Sequence, residues 1–383
     1  MTPFDFQPRT RLVFGPGKVD SLGALASELG ARRALVVSDS GVVAAGHTAR
    51  GIESLERAGI ETHLFDGVHE NPTTDDVAAG VKIARRYDPE ILIGFGGGSS
   101  MDCAKGINFL FTGGGEMKDY WGVGKALQAM LPMIAVPTTA GTGSETQSFA
   151  LISDSKTHVK MACGDKKASC RIALLDPELT VSQPPRVTAL TGIDALSHAL
   201  ETFVTTRRNS VSLAFSRESW RLLAGNFARV LETPTDIEAR GSMLLGASFA
   251  GLAIEASMLG AAHALANPLT ANFDVPHGQA VGVMLPHVIR FNAIAVEGQY
   301  LDLLRESNNG SPLPGLAGGV TGLADFVMEL LAKAGLGTTL RSLRVDPLQL
   351  PQLASQAAKQ WTATFNPRPV EEDELLALYQ QAF

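Results

Sequence analysis

Asp194 and His198 stand four residues apart in T-G-I-D-A-L-S-H-A-L-E, residues 191–201. Ile193, Leu196, Ala199 and Leu200 fall near helical spacing, and Thr191 is placed to cap the helix start. On a helix, side chains at i and i+4 share a face. A carboxylate and an imidazole so placed can grip one cation, or can simply hydrogen-bond to each other inside a packed helix. His263, in L-G-A-A-H-A-L-A-N-P-L, and His277, in V-P-H-G-Q-A-V-G, extend the set. The first lies in a helical pattern that Pro268 is expected to end; the second just precedes another helix-like run. One carboxylate and three imidazoles suit Zn2+ or Fe2+ better than Mg2+ or Ca2+, which prefer oxygen shells. His263 follows His198 by 65 positions, so spacing alone does not establish the site.

Glycine carries a second kind of chemistry. Residues 91–105, I-L-I-G-F-G-G-G-S-S-M-D-C-A-K, pass from a buried-strand pattern through Gly96, Gly97, Gly98 and Ser99 into a helical one. Glycine lets backbone N–H groups approach a phosphate, and a helix start turns its positive dipole end there. The stretch is neither the G-x-G-x-x-G fingerprint nor a Walker A loop. A turn that needs glycine only for its own geometry is the alternative. Residues 136–145, V-P-T-T-A-G-T-G-S-E, follow the next strand pattern. Two such loops at the carboxyl ends of neighbouring strands are where open α/β sheets bind ligands. Thr138, Thr139, Thr142 and Ser144 offer hydroxyls to a nucleotide's amide, base or ribose, although such clusters also occur in plain loops. Asp39 closes the strand pattern 34–38. A carboxylate there either accepts from both ribose hydroxyls and repels a 2′-phosphate, favouring NAD over NADP, or caps the next helix.

The elements that must hold these residues fall into two kinds. Strand patterns at 11–14, 34–38, 62–65, 91–95 and 133–136 alternate with helical patterns at 19–29, 42–58, 75–87 and 101–110. Further strand-like runs cover 149–153 and 172–175. Such alternation predicts a Rossmann-like parallel sheet covered on both faces. After Asp176-Pro177 the character changes. Residues 177–185 read as a loop, with Gln183-Pro184-Pro185 barring regular helix. Beyond them come alanine-rich helical patterns at 195–204, 213–230, 237–254 and 256–266, then 323–335 and 348–365, with a surface loop expected at 309–319. The division is an α/β nucleotide-binding domain, 1–183, and an all-α metal-binding domain, 184–383.

Composition narrows the function classes. The chain has 383 residues, 45% apolar and 19% charged, enough for two globular cores. A net charge of −7 argues against nucleic acid or an anionic membrane surface as partner. No run of about 20 apolar residues spans a bilayer, and the N-terminus lacks the apolar core of a secretory signal. Cys103, Cys163 and Cys170, odd in number and without C-x-x-C spacing, fit a reducing cytoplasm. His47, His63, His69 and His158 read as solvated or capping, and His287 as packed.

Taken together, the motifs resemble the iron-dependent (group III) alcohol dehydrogenases along nearly the whole chain. They are G-G-G-S-x-x-D-x-A-K at 96–105, P-T-T-A-G-T-G-S-E at 137–145, D-P-E-L at 176–179, D-A-L-S-H-A-L-E at 194–201, P-H-G-x-A at 276–280 and N-P-R at 366–368. The resemblance implies a dehydroquinate synthase-like architecture and a metal, Fe2+ or Zn2+, held by Asp194, His198, His263 and His277. It implies NAD contacts from Asp39, Asn71, Gly96, Gly97, Gly98, Ser99, Asp102, Thr138, Thr139, Thr142, Ser144 and Lys160. Phe149, Ile254 and Thr362 would line the substrate. The implied reaction is reversible hydride transfer between a small or medium alcohol or aldehyde and NAD(H), in a cytoplasmic homodimer or larger homo-oligomer. A hydroxyacid–oxoacid transhydrogenase or a maleylacetate reductase would use the same parts. A lyase of the dehydroquinate synthase type commonly holds its metal with a glutamate and two histidines, so the D-x-x-x-H pair counts against it. Two positions depart from the family pattern. Asn267 stands where a second histidine usually follows His263 by four residues, and an amide does not titrate near neutral pH. Ala256 replaces a frequent asparagine.

Overall fold

The computed structural model describes residues 3–306 and 318–383, so most of the loop expected at 309–319 lies outside the described residues. Two compact units result: Gln7–Gln183, and residues 3–6 with Pro184–Phe383. Residues 3–6 thus leave the α/β domain in which the sequence had them; Phe6 and Phe215 have ring centroids 6.0 Å apart in the helical unit.

In the first unit the strands are β1 (Arg11–Phe14), β2 (Arg33–Val37), β3 (Glu61–Phe65), β4 (Ile91–Gly96), β5 (Gly122–Val123), β6 (Met133–Pro137), β7 (Phe149–Ser153), β8 (Lys160–Gly164) and β9 (Ile172–Leu175). A six-stranded sheet runs in the order β1-β9-β6-β4-β2-β3, every pair parallel. The run 149–153 is a strand, but it belongs to a second, three-stranded sheet, β5-β8-β7, where β7 and β8 pair antiparallel. Neither β5 nor β8 shows in the sequence pattern. The first is two residues long, and K-M-A-C-G has no β-branched or aromatic side chain.

The helices are α1 (Leu22–Glu28), α2 (Ser40–Ala44), α3 (His47–Arg57), α4 (Thr74–Tyr87) and α5 (Gly98–Gly113). One helix was expected over 42–58; Gly46, at φ 80°, divides it. Helix α5 begins inside the glycine loop, three residues earlier than the pattern suggested. Both faces of the parallel sheet are covered. Ile91, Ile93 and Phe95 of β4 join one buried cluster with Leu22 and Leu55, while Leu92 joins another with Met101 and Ile107. This two-sided burial is why β4 reads as a continuous apolar run. Register pairs Gly96 with Pro137, so the two glycine loops leave adjacent strands side by side.

The second unit comprises α6 (Pro185–Val204), α7 (Ser210–Glu232), α8 (Ile237–Ala256), α9 (Ala261–Phe273), α10 (His277–Glu306), α11 (Gly319–Lys333), α12 (Leu350–Ala358) and α13 (Glu372–Gln381), with no strand among its described residues. Helix α6 starts at Pro185, within the stretch 177–185 whose prolines predict a loop. Proline suits a first helical position because its fixed φ is helical and it has no N–H to leave unbonded. Thr191 is therefore interior, its hydroxyl donating to the Val187 carbonyl (2.8 Å), and does not cap. The run expected at 256–266 breaks after Ala256, and α9 then continues through Pro268, which was expected to end it. The proline offers no N–H to the Ala264 carbonyl. On that loosened turn, the buried Tyr379 hydroxyl donates to the Leu265 carbonyl (2.6 Å). The run 348–365 divides into α12 and a short 3-10 turn, Trp361–Phe365, and α13 was not foreseen.

By length and composition α10 would suffice to cross a bilayer, but 67% of its most apolar window is buried inside the protein. It bends at Val296. At its start, a Cβ on Gly278 would run into the Leu190 backbone carbonyl. Only glycine permits that approach, which brings His277 to α6 one turn before Asp194. Gly278→Ala is expected to destabilise the protein by roughly 2 kcal/mol through this overpacking. Urea unfolding followed by circular dichroism checks it; an unchanged midpoint would mean that the crossing tolerates a side chain.

Candidate functional site

Helix α6 presents Asp194, His198 and Glu201 at i, i+4 and i+7, so all three lie on one stripe, and all are buried. His263 is the third residue of α9 and His277 the first of α10. Their rings converge on one oxygen. Asp194 Oδ1 lies 3.5 Å from His198 Nε2, 3.6 Å from His263 Nε2 and 3.7 Å from His277 Nε2. These separations are long for hydrogen bonds. Ligand atoms about 2.1 Å from a tetrahedral ion sit about 3.4 Å from each other, close to what is seen. Asp194 Oδ1 and His263 Nε2 are buried with no hydrogen-bond partner among the described residues. The ligand atoms of Asp194, His263 and His277 lie within 4.8 Å of one another. His198 adjoins them through Asp194 and through its ring, stacked on His263 at 4.8 Å and 19°.

Charge makes the same demand. Burial opposes a proton on His263, yet the Glu201 and Asp194 carboxylates outweigh it and raise its pKa to about 9. Burial likewise opposes ionisation of Asp194, but the surrounding imidazoles hold its carboxyl far below the usual range. Two buried carboxylates require positive charge beside them. A proton on His263 answers in part, and a divalent cation among these four residues answers in full. The donor set fits such an ion.

Glu201, the last residue of the D-A-L-S-H-A-L-E stretch, has two roles. Its Oε2 lies 2.5 Å from His263 Nδ1, and its Oε1 accepts from the Ala262 N–H (2.7 Å). In the neutral ring, a proton held on Nδ1 leaves Nε2 as the lone-pair nitrogen facing Asp194. The same carboxylate also serves the buried start of α9, whose N-cap is a glycine without a side chain. Asn366 Oδ1 takes the neighbouring Ala261 N–H (3.3 Å), and Asn366 is itself locked to Asn292 by reciprocal bonds of 2.7 and 3.0 Å. The N-P-R stretch therefore seats the helix that carries His263. The i+7 spacing from Asp194 was the signal that could have revealed Glu201.

The expected cofactor residues gather in the α/β unit. Asp39 realises the capping alternative, Oδ1 accepting from Gly41 and Val42 N–H (both 3.0 Å), while Oδ2 accepts from Ser100 Oγ (3.2 Å). The Thr138 N–H donates to the Gly96 carbonyl (2.9 Å). A Cβ on Gly98 would come within 2.7 Å of the Thr142 methyl, and one on Gly97 within 3.3 Å of Thr139, so the two loops are in contact. The first turn of α5 has no side-chain cap, which leaves its N–H groups available to an anion. Asn71 donates its N–H to Ser99 Oγ (3.3 Å) and accepts from Lys160 Nζ (3.3 Å). Asp102 Oδ1 accepts from Ser144 Oγ (2.5 Å).

The expected substrate residues are spread over three elements. Phe149 opens β7, Ile254 sits in the last turn of α8, and Thr362 lies in the 3-10 turn with its buried hydroxyl unpartnered among the described residues. Asn267, one turn beyond His263, donates from Nδ2 to Gln360 Oε1 (3.0 Å).

Comparison with known proteins places this geometry. Residues 8–177 match the family model described as iron-containing alcohol dehydrogenase, and residues 188–383 match the C-terminal model of the same family. A 1,3-propanediol dehydrogenase of Klebsiella pneumoniae is 34% identical over 386 residues, covering 99% of each chain. The NAD-dependent methanol dehydrogenase of Bacillus methanolicus is 34% identical over 81% of this chain and 82% of its own. A solved 1,3-propanediol oxidoreductase superposes with a TM-score of 0.95 at 32% identity, both chains covered fully.

Glu201→Gln keeps an acceptor for the Ala262 N–H but weakens the hold on His263. It is expected to lower divalent-metal affinity about 10- to 100-fold, read by chelator competition. Wild-type affinity in a folded variant would remove the orienting role.

Proposed function

The chain belongs to the iron-containing alcohol dehydrogenase family, and on that premise we propose that it interconverts a small or medium alcohol and its aldehyde or ketone with NAD(H), using Fe2+ or Zn2+ held by Asp194, His198, His263 and His277. The observation that carries the reading is the array of three imidazole Nε2 atoms 3.5, 3.6 and 3.7 Å from one buried carboxylate oxygen that has no hydrogen-bond donor among the described residues. When bound, the metal supplies a Lewis acid for the substrate oxygen and the dinucleotide supplies the hydride chemistry.

The chain's own residues orient, shield and select. Glu201 holds the His263 ring through Nδ1, so that its free nitrogen faces Asp194. Asp194, His198 and His263 are almost wholly buried, whereas the His277 side chain is 29% exposed, which supports substrate entry on the side of His277. The uncapped start of α5 and the loop behind it supply N–H donors to a pyrophosphate. Asp39 places a negative charge at the end of β2 that disfavours a 2′-phosphate, supporting NAD over NADP. Asn267 donates and accepts hydrogen bonds but does not titrate near neutral pH, so its side chain would not carry the substrate's proton. The small-alcohol names of the relatives support the substrate size, and three buried free cysteines support a reducing compartment.

The test is metal analysis of the purified protein followed by a panel of alcohols and aldehydes with NAD(H) and NADP(H). Bound Fe2+ or Zn2+ and turnover of small alcohols with NAD are expected. Asp39→Gly should shift the NAD/NADP ratio of kcat/KM toward NADP by about tenfold; an unchanged ratio removes its assigned role. His263→Ala should lose metal and activity together, by roughly 100-fold or more, and a metal-replete, fully active variant sinks the ligand assignment.

A further inference from the structure

Lys105 lies on α5, two turns beyond the glycine loop, and is fully buried. Its Nζ donates to the Ser144 carbonyl (2.7 Å), to Ser144 Oγ (2.8 Å) and to the Phe149 carbonyl (2.9 Å). Each of the three ammonium N–H groups therefore has an acceptor. Asp102, one turn earlier, brings Oδ1 to 3.7 Å from the ammonium. That oxygen accepts from Ser144 Oγ (2.5 Å), and Oδ2 accepts from the Leu151 N–H (3.1 Å). Burial holds the Asp102 carboxyl above the usual range, and Lys105 with the two hydrogen bonds offsets only part of that rise.

The connections matter because of what they join. Helix α5 starts in the first glycine loop, Ser144 closes the second, and Phe149 and Leu151 belong to β7. One buried ammonium thus ties the second loop and a strand to the helix that begins in the first loop. Gly98 and Thr142 are already at contact distance, so any drift of the second loop reshapes the surface offered to a ligand. The hydroxyl of Ser144 gives its proton to Asp102 and a lone pair to Lys105, and both oxygens of Asp102 are engaged. These polar atoms are committed to one another.

We propose that Lys105, with Asp102 and Ser144, is a positioning clamp that sets the spacing of the two glycine loops for the dinucleotide, and that Asp102 and Ser144 act through the clamp and not by touching the cofactor. The proposal rests on NAD occupying these loops, as put forward above. It departs from the role the sequence suggested for Asp102 and Ser144.

Full-length, metal-loaded wild type, Lys105→Met and Ser144→Ala are titrated with NAD+ by calorimetry, and amide hydrogen exchange is followed without NAD+ in peptides covering 138–151. Lys105→Met is expected to bind NAD+ about tenfold more weakly, to exchange faster across 138–151 and to keep its metal, with the loss appearing in KM for NAD+ more than in kcat. Ser144→Ala leaves both carbonyl bonds of Lys105 in place and is expected to weaken binding only about twofold. A Lys105→Met protein with wild-type NAD+ affinity and exchange overturns the clamp, as does a Ser144→Ala protein that loses as much as Lys105→Met. Should Lys105→Met fail to fold, Lys105→Met with Asp102→Asn removes both buried charges and is held to the same criteria. A wild type that binds no NAD+ refutes the cofactor reading, and the exchange comparison then decides the clamp by itself.

Discussion

A carboxylate oxygen buried without a hydrogen-bond donor is costly, and among the described residues Asp194 Oδ1 has none. Three imidazole nitrogens face it at distances suited to sharing a cation. The helical unit is built around this requirement. Helix α6 supplies the oxygen, one imidazole and, at i+7, a second carboxylate that holds another imidazole from behind. Glu201 then spends its other oxygen on the amide start of α9, so the orientation of His263 and the seating of its helix depend on one side chain. Removing the whole carboxylate would loosen both, whereas removing its charge alone weakens chiefly the hold on His263.

The two halves solve different electrostatic problems. Around Asp194 the protein offers concentrated negative charge and imidazole lone pairs, which suits a cation. At the ends of β4 and β6 it offers helix-start N–H groups and hydroxyls, which suits an anion. Lys105 and Asp102 of the α/β unit are buried behind the loops, with Asp102 Oδ1 3.7 Å from the ammonium.

How much of this was legible in the sequence follows from where each signal resides. Strand β4 was readable because burial on both faces forces a continuous apolar run, and the motif residues were readable because their types are chemically unusual in such runs. Asp39 was ambiguous because one carboxylate has two oxygens; one caps α2 and the other takes Ser100, so no single role could have been deduced from its position. The persistence of α9 past Pro268 was not readable, since Tyr379, which donates to the Leu265 carbonyl, lies 114 residues away from it in the chain. Pro185 misled for the opposite reason: the residue that stops a helix interior is welcome at its first turn. Strand β8 carries little local β-preference and exists because β7 and β5 pair with it.

Sequence distance also separates the proposed ligands into two classes. Asp194 and His198 share a face of α6 as soon as that helix forms, so their juxtaposition is local. His263 and His277 arrive only when α9 is seated by Glu201 and Asn366 and when α10 meets α6 at Gly278. The complete donor set therefore exists only in the packed unit. A cation that binds it draws its free energy from, and returns it to, those helix contacts, because ligands absent from the unfolded chain couple metal affinity to folding. The tight crossing at Gly278 and the twofold use of Glu201 are, on this argument, part of the metal affinity itself, although neither residue offers the metal an atom.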